Sequence, residues 1–115
     1  MHKVIDAHIH LDVYERSERL QILKELDQAD VSALIAVSND FKSAKSVLSL
    51  AKCDSRIKPA IGFHPEQELP SEAEMDWIME LIETHQDEIV AIGEVGLPYY
   101  TRQEDPGLVL KPYLE

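Results

Sequence analysis

The sequence predicts an α/β protein built as a parallel (βα)4 half of a TIM-like (β/α)8 barrel. Three observations carry this. Apolar runs begin near residues 3, 31, 57 and 89, each followed by an amphipathic stretch, and a repeat of roughly 30 residues is the size of one βα unit. The runs lack polar alternation, so both sheet faces are expected to be covered, as in parallel sheets. The fourth helix start comes just before Glu115, whereas a full barrel takes about 200 residues or more. A small open doubly wound sheet also fits four units. The stop so soon after a helix start favours the half-barrel, with residues 1–115 as the N-terminal half of a single domain.

Each element has its own signal. Lys3 to Ile9 reads as a short buried strand. Ser17 is placed to cap a helix with Leu20, Leu23, Leu26 and Ala29 on one face. Ala33 to Val37 is the second strand. Asp40 is placed to cap a helix whose Ala44, Val47, Leu48 and Ala51 sit at helical spacing. The third strand runs from Ile57 to Phe63, with Pro59 weakening only its start. Ser71-Glu72-Ala73-Glu74 is a capping box that opens a helix bearing Met75, Ile78, Met79 and Ile82. Ile89 to Glu94 is the fourth strand, and Asp105-Pro106 has the form of a helix start.

Composition excludes several classes. The chain is 44% hydrophobic and 29% charged, an ordinary globular balance rather than a disordered one. No run of about 18 apolar residues predicts a membrane span, and Met1 to Asp6 lacks the h-region of a signal peptide. The one cysteine, Cys53, cannot pair within the chain, so a cytoplasmic location is the expectation. Acids number 22 against 11 Lys plus Arg, for a net charge of −11. Proteins that grip nucleic acid through phosphates are normally basic, so phosphate chemistry here would need metal ions for local positive charge. Glycine-rich phosphate loops, Cys-x-x-Cys zinc patterns and basic–aromatic interleaving are all missing.

The candidate chemistry lies at strand ends. Asp6, His8 and His10 alternate, so on a strand they share a face, with about 6.6 Å per step of two residues. Two imidazoles so placed can converge on one metal ion, with Asp6 behind them orienting a ligand or another polar group. Glu94 ends the fourth strand between Gly93 and Gly96, and its two oxygens can take a metal or bridge two. The two glycines allow close backbone approach or positive φ. His64 ends the third strand in Gly62-Phe63-His64-Pro65. It can ligate metal, hydrogen-bond a phosphate, or satisfy a loop carbonyl. Arg102 lies just past the fourth strand, where it can meet an anionic substrate or simply face solvent. His2 and His85 read as surface residues. The convergence of histidines and a carboxylate on one C-terminal rim is the main signal, because α/β enzymes place their chemistry there.

Three motifs together give a resemblance. Val4-Ile5-Asp6-Ala7-His8-Ile9-His10-Leu11-Asp12, Ala60-Ile61-Gly62-Phe63-His64-Pro65 and Ile92-Gly93-Glu94-Val95-Gly96-Leu97 resemble the TatD family of metal-dependent hydrolases. His-x-His alone is shared with amidohydrolases and PHP-type phosphoesterases; the second and third motifs are more specific. The resemblance implies a distorted (β/α)8 barrel and a metal-dependent deoxyribonuclease activity, with DNA or another phosphodiester as substrate. It implies that His8 and His10 hold one divalent ion and that Glu94 bridges two. The ion can be Zn, Mn, Mg or Ni. His64 is implied to lie near the scissile phosphate rather than on a metal. Pro98 stands where many members have aspartate. The family's other ligands, two histidines and an aspartate, come from later strands. The expectation is therefore a fragment that is inactive alone, binds one ion weakly, and self-associates through exposed sheet edges. A PHP-like or amidohydrolase-type enzyme acting on another ester or amide is one alternative. A non-enzymatic βα fragment that assembles with another chain is a second.

Overall fold

The computed structural model describes residues 2–115. Four strands form one parallel sheet in the order β1-β2-β3-β4. They are β1 (Val4–Ile9), β2 (Val31–Val37), β3 (Ile57–Ile61) and β4 (Ala91–Ile92). The helices are α1 (Arg16–Glu25), α2 (Phe41–Cys53), α3 (Glu72–Thr84), α4 (Tyr99–Glu104) and α5 (Lys111–Leu114), and a single 3-10 turn spans Leu11–Val13. Sequential parallel neighbours joined by helices are the predicted βα rhythm.

The core lies between the middle strands and α2. Leu34, Ala36 and Val37 of β2 and Ile57, Ala60 and Ile61 of β3 are buried. Of these, Leu34, Ala36, Ile57 and Ile61 cluster with Ala44, Val47 and Leu48 on the inner stripe of α2, with Ile78 of α3 behind. Asp40 caps α2 as the sequence predicts: its Oδ1 accepts the Ser43 N–H at 2.8 Å. Ser71 caps α3, accepting the Glu74 N–H at 3.0 Å.

Five expectations are corrected. First, β1 and β4 are not buried: Val4 is 54% exposed, Ile5 58% and Ile92 56%. Each is an edge strand with a neighbour on one side only, and apolar sequence cannot by itself supply a covering layer. Second, α1 is capped by Glu15, which shares a reciprocal capping box with Glu18, and Ser17 lies inside the helix. Leu20 points outward at 58% exposure, and Leu26, just past the helix, is the buried anchor. Third, β3 ends at Ile61, short of Phe63. Fourth, β4 shortens to Ala91–Ile92, although backbone bonds from Val90 to Pro59 and from Gly93 to Ile61 extend its pairing. Fifth, Asp105-Pro106 opens no helix. It follows α4, and Asp105 Oδ1 accepts the Gly107 N–H in a turn. The last helix starts instead at Lys111, with Pro112 in its first turn.

The sheet is open at both edges. The radius of gyration is 15.7 Å, against about 13 Å for a compact domain of this length. No helix among the described residues is long and apolar enough to cross a membrane.

Candidate metal centre

Parallel strands deliver their C-terminal ends to one rim, and the singled-out side chains sit there. Asp6 pairs with Leu34 and Ile9 with Ala36, so β1 carries one residue more than β2 across this stretch. Such a bulge re-aims the side chains beside it, here those of Ala7 and His8. His10 follows β1 directly and opens the 3-10 turn. Leu11, fully buried beside it, anchors that turn in the core.

Both rim imidazoles converge on one oxygen. His8 Nε2 lies 2.9 Å and His10 Nε2 3.3 Å from Glu94 Oε1. The two rings meet edge to face, with centroids 5.1 Å apart. His10 Nδ1 lies 3.1 Å from the Val37 carbonyl. A carbonyl oxygen only accepts, so Nδ1 carries the proton and Nε2 presents its lone pair in the neutral ring. That is the arrangement in which a metal-binding histidine is usually held.

Glu94 reaches this position at a conformational cost. Its φ is +41°, in the left-handed region that non-glycine residues rarely adopt. No glycine among the described residues has positive φ; at this corner the strain falls on the functional residue itself. The flanking backbone is tightly confined. A Cβ on Gly62 would sit 1.5 Å from the Gly93 carbonyl oxygen, and one on Gly93 would sit 2.7 Å from Val37 Cγ1. Ser38, fully buried at the end of β2, clamps the same corner: its Oγ accepts the Gly62 N–H at 3.0 Å. Gly96, in contrast, has ordinary space around it.

These residues suit a divalent cation. Two imidazole nitrogens and a carboxylate oxygen form the only such group among the described residues, all within 4.8 Å of one another. Ligands at about 2.0–2.2 Å from a shared ion lie roughly 2.8–3.1 Å apart at octahedral angles and roughly 3.3–3.6 Å apart at tetrahedral ones, a span that takes in the observed 2.9 and 3.3 Å.

His64 stands apart from the three. Its ring centroid is 6.3 Å from that of His10, and its Nδ1 accepts the Glu66 N–H at 3.1 Å. Neutral His64 therefore carries its proton on Nε2, the tautomer opposite to His10. Asp6 is exposed and accepts the backbone N–H of His8 at 3.1 Å, not an imidazole proton. Arg102 lies exposed on α4, outside the three-residue group.

Glu66 escaped sequence reasoning. Its carboxylate accepts the N–H groups of Tyr100 and Thr101, each at 2.8 Å, and the Thr101 hydroxyl at 2.6 Å. The Thr101 hydroxyl bond, the two backbone N–H groups and the nearby His64 hold its carboxyl below the usual carboxylate range, against a smaller opposing effect of burial. No local signal announces this, because its partners lie 34 and 35 residues away. His85 is also more than a surface residue: its Nδ1 lies 2.9 Å from the Leu81 carbonyl at the end of α3.

A parallel half-barrel sheet with two histidines and a glutamate gathered at its C-terminal rim defines the class: an α/β fold carrying a candidate divalent-metal site. Comparison with known proteins gives the family. The family model described as TatD related DNase matches residues 5–111, and the chain belongs to this TatD family. An uncharacterized metal-dependent hydrolase of Haemophilus influenzae is 40% identical over 113 residues, covering 97% of this chain and 44% of that protein. The human deoxyribonuclease TATDN3 is 31% identical over 108 residues, covering 86% and 39%. The crystal structure of YJJV, a TatD homolog from Escherichia coli K12, superposes with a TM-score of 0.74 at 28% identity, over 88% of this chain and 42% of that one. The chain thus spans about two-fifths of the length of the relatives it matches.

Proposed function

We propose that residues 1–115 furnish the first ligands of a divalent-metal-dependent hydrolase that cleaves phosphodiester bonds in DNA. The convergence of His8 Nε2 and His10 Nε2 on Glu94 Oε1 carries this reading. His8, His10 and Glu94 hold the cation, and Glu94 has a second oxygen with which to reach another ion. A cation bound there supplies the positive charge that activates water and offsets charge developing on a phosphoryl oxygen. His64, with its proton on Nε2, donates a hydrogen bond to a phosphate oxygen of the substrate. Arg102 meets the same anion from α4. The name of the human relative and the family's description support DNA as the substrate class.

The 115-residue chain on its own binds a single ion and does not turn over DNA, because three side chains leave a second ion without enough ligands. It behaves as one folding unit. Its free β1 and β4 edges favour self-association, which sedimentation at rising concentration reads directly.

Titration calorimetry with zinc and with manganese tests the site. The chain is expected to bind one ion, and the His8→Ala plus His10→Ala variant to lose that binding. Equal affinity in the two proteins would remove the rim histidines from the metal site. Metal-dependent DNA cleavage by the purified chain, abolished in the variant, would overturn the claim that it is inactive alone.

A further inference from the structure

Charge is unevenly distributed over the helices. In a chain with twice as many acids as bases, α2 carries Lys42, Lys45 and Lys52 and no acid. Its packing neighbour α3 carries Glu72, Glu74, Asp76, Glu80 and Glu83 and no base. Lys42, Lys45, Ser46 and Ser49 fall at i, i+3, i+4 and i+7, one outward stripe of α2. Arg19 of α1 comes to the same place, and together with Asp12 these residues line a surface cavity of about 480 Å³.

The accessible charge of this cavity is positive. None of Arg19, Lys42 and Lys45 forms an ion pair among the described residues. Arg19 is steadied by donating to the Tyr14 carbonyl, and Lys45 rests with its Nζ 4.8 Å from the centroid of the Phe41 ring. The one carboxylate in the lining is turned inward: Asp12 Oδ2 accepts the Ser43 hydroxyl at 2.7 Å, and Oδ1 is buried. Asp12 also fixes the location: it belongs to the 3-10 turn that follows His10, so the cavity reaches the turn that leads away from the metal rim. A polyanion is repelled by a net charge of −11 except at such a face.

We propose that Arg19, Lys42 and Lys45 form an anchoring site for the phosphate backbone of a nucleic-acid strand, beside the metal cluster and separate from it. The proposal rests on the hydrolase reading above for the identity of the strand as substrate. The site holds backbone phosphates outside the reacting one and supplies the basic surface that overall composition denies.

The test measures fluorescence anisotropy of a short single-stranded oligodeoxynucleotide against the 115-residue chain, with a chelator present so that metal plays no part. The chain is expected to bind, with log affinity falling against log salt. The triple variant Arg19→Gln, Lys42→Gln, Lys45→Gln is expected to lose at least tenfold in affinity at low salt. Its salt slope should flatten by about two, at roughly 0.7 per single-strand phosphate contact. Lys58→Gln, an exposed lysine elsewhere, should change neither. The triple variant binding like the parent, or a parent that does not bind, overturns the proposal. Inorganic phosphate saturating the cavity while the oligonucleotide fails to bind identifies a small-anion site and also overturns it. A dimer that the triple variant dissolves assigns the lysines to an acidic face of a second copy, and the proposal falls in that case too. Calorimetric metal binding in the same variants is read separately. Metal binding without strand binding sinks this proposal alone, and strand binding without metal binding sinks the hydrolase reading alone.

Discussion

Gly62 and Gly93 touch through their backbones: a Cβ on Gly62 would lie 1.5 Å from the Gly93 carbonyl oxygen, at the point where Glu94 leaves the sheet. No rotamer relieves a clash with backbone, so β3 and β4 must separate to admit any side chain. Gly62→Ala is expected to cost about 3 kcal/mol in urea unfolding, the upper range for overpacking, and to weaken metal binding by moving Glu94. Gly96→Ala, with nothing nearer than Pro65 Cγ at 3.6 Å, should stay within about 0.5 kcal/mol of the parent.

Glu94 trades stability for position. At a φ of +41° a non-glycine residue carries strain of about 1 kcal/mol or more. Glycine relieves it, less the larger chain entropy it loses on folding. Glu94→Gly should therefore unfold at higher urea than Glu94→Gln, by about 0.5–1 kcal/mol, while both lose metal affinity in calorimetry. A glycine variant no more stable than the glutamine variant would show that the left-handed backbone is unstrained.

Local signals and long-range ones were legible to different degrees. The parallel order, the Asp40 and Ser71 caps and the inner stripe of α2 depend on periodicity and capping within one element, which sequence displays. The rim trio was legible because His8 and His10 are two residues apart and Glu94 ends a neighbouring strand. The exposure of Val4, Ile5 and Ile92 was not, because apolarity states what a residue prefers and not whether a covering layer exists. Gly93 and Gly96 are the residue types that permit positive φ at this corner, yet it is Glu94 that adopts it there, and the tightest approach is at Gly62. The Val37 carbonyl that sets the His10 tautomer is 27 residues away, and a backbone atom leaves no residue-type signature.

The Glu66 carboxylate ties α4 to the loop that carries His64. Its folded-state pKa is depressed, first by the Thr101 hydroxyl bond. A depressed carboxyl contributes stability above its ordinary value, near 4.5, and that contribution disappears as pH falls through the lowered folded value. The melting-temperature difference between the parent and Glu66→Gln should thus be flat above pH 4.5 and shrink below it. At neutral pH, amide exchange at Tyr100 and Thr101 should quicken in Glu66→Gln. A difference that grows on acidification would reverse the sign and refute the assignment.

Leu11 links the core to the metal centre. It follows His10 directly, starts the 3-10 turn, and is completely buried against the core built around α2. The backbone of that turn is held by two bonds, Val13 N–H to the His10 carbonyl at 3.2 Å and Tyr14 N–H to the Leu11 carbonyl at 3.4 Å, and Asp12 Oδ2 adds one tie to α2 by accepting the Ser43 hydroxyl. The Leu11 side chain is its apolar anchor in the core. Leu11→Ala is expected to cost about 2–5 kcal/mol, by lost burial and the cavity left behind. Ile57→Ala removes a side chain that is likewise buried, at the start of β3 and so at the end of the sheet opposite the rim, and should cost a similar amount. The two differ in what they do to the site. Loss of the anchor lets His10 drift from Glu94 and from the Val37 carbonyl, so Leu11→Ala should weaken zinc or manganese binding in calorimetry under conditions where both variants remain folded. Ile57→Ala should bind as the parent does. Matched loss of affinity in the two would mean that global stability, and not the seating of His10 by Leu11, governs the metal centre.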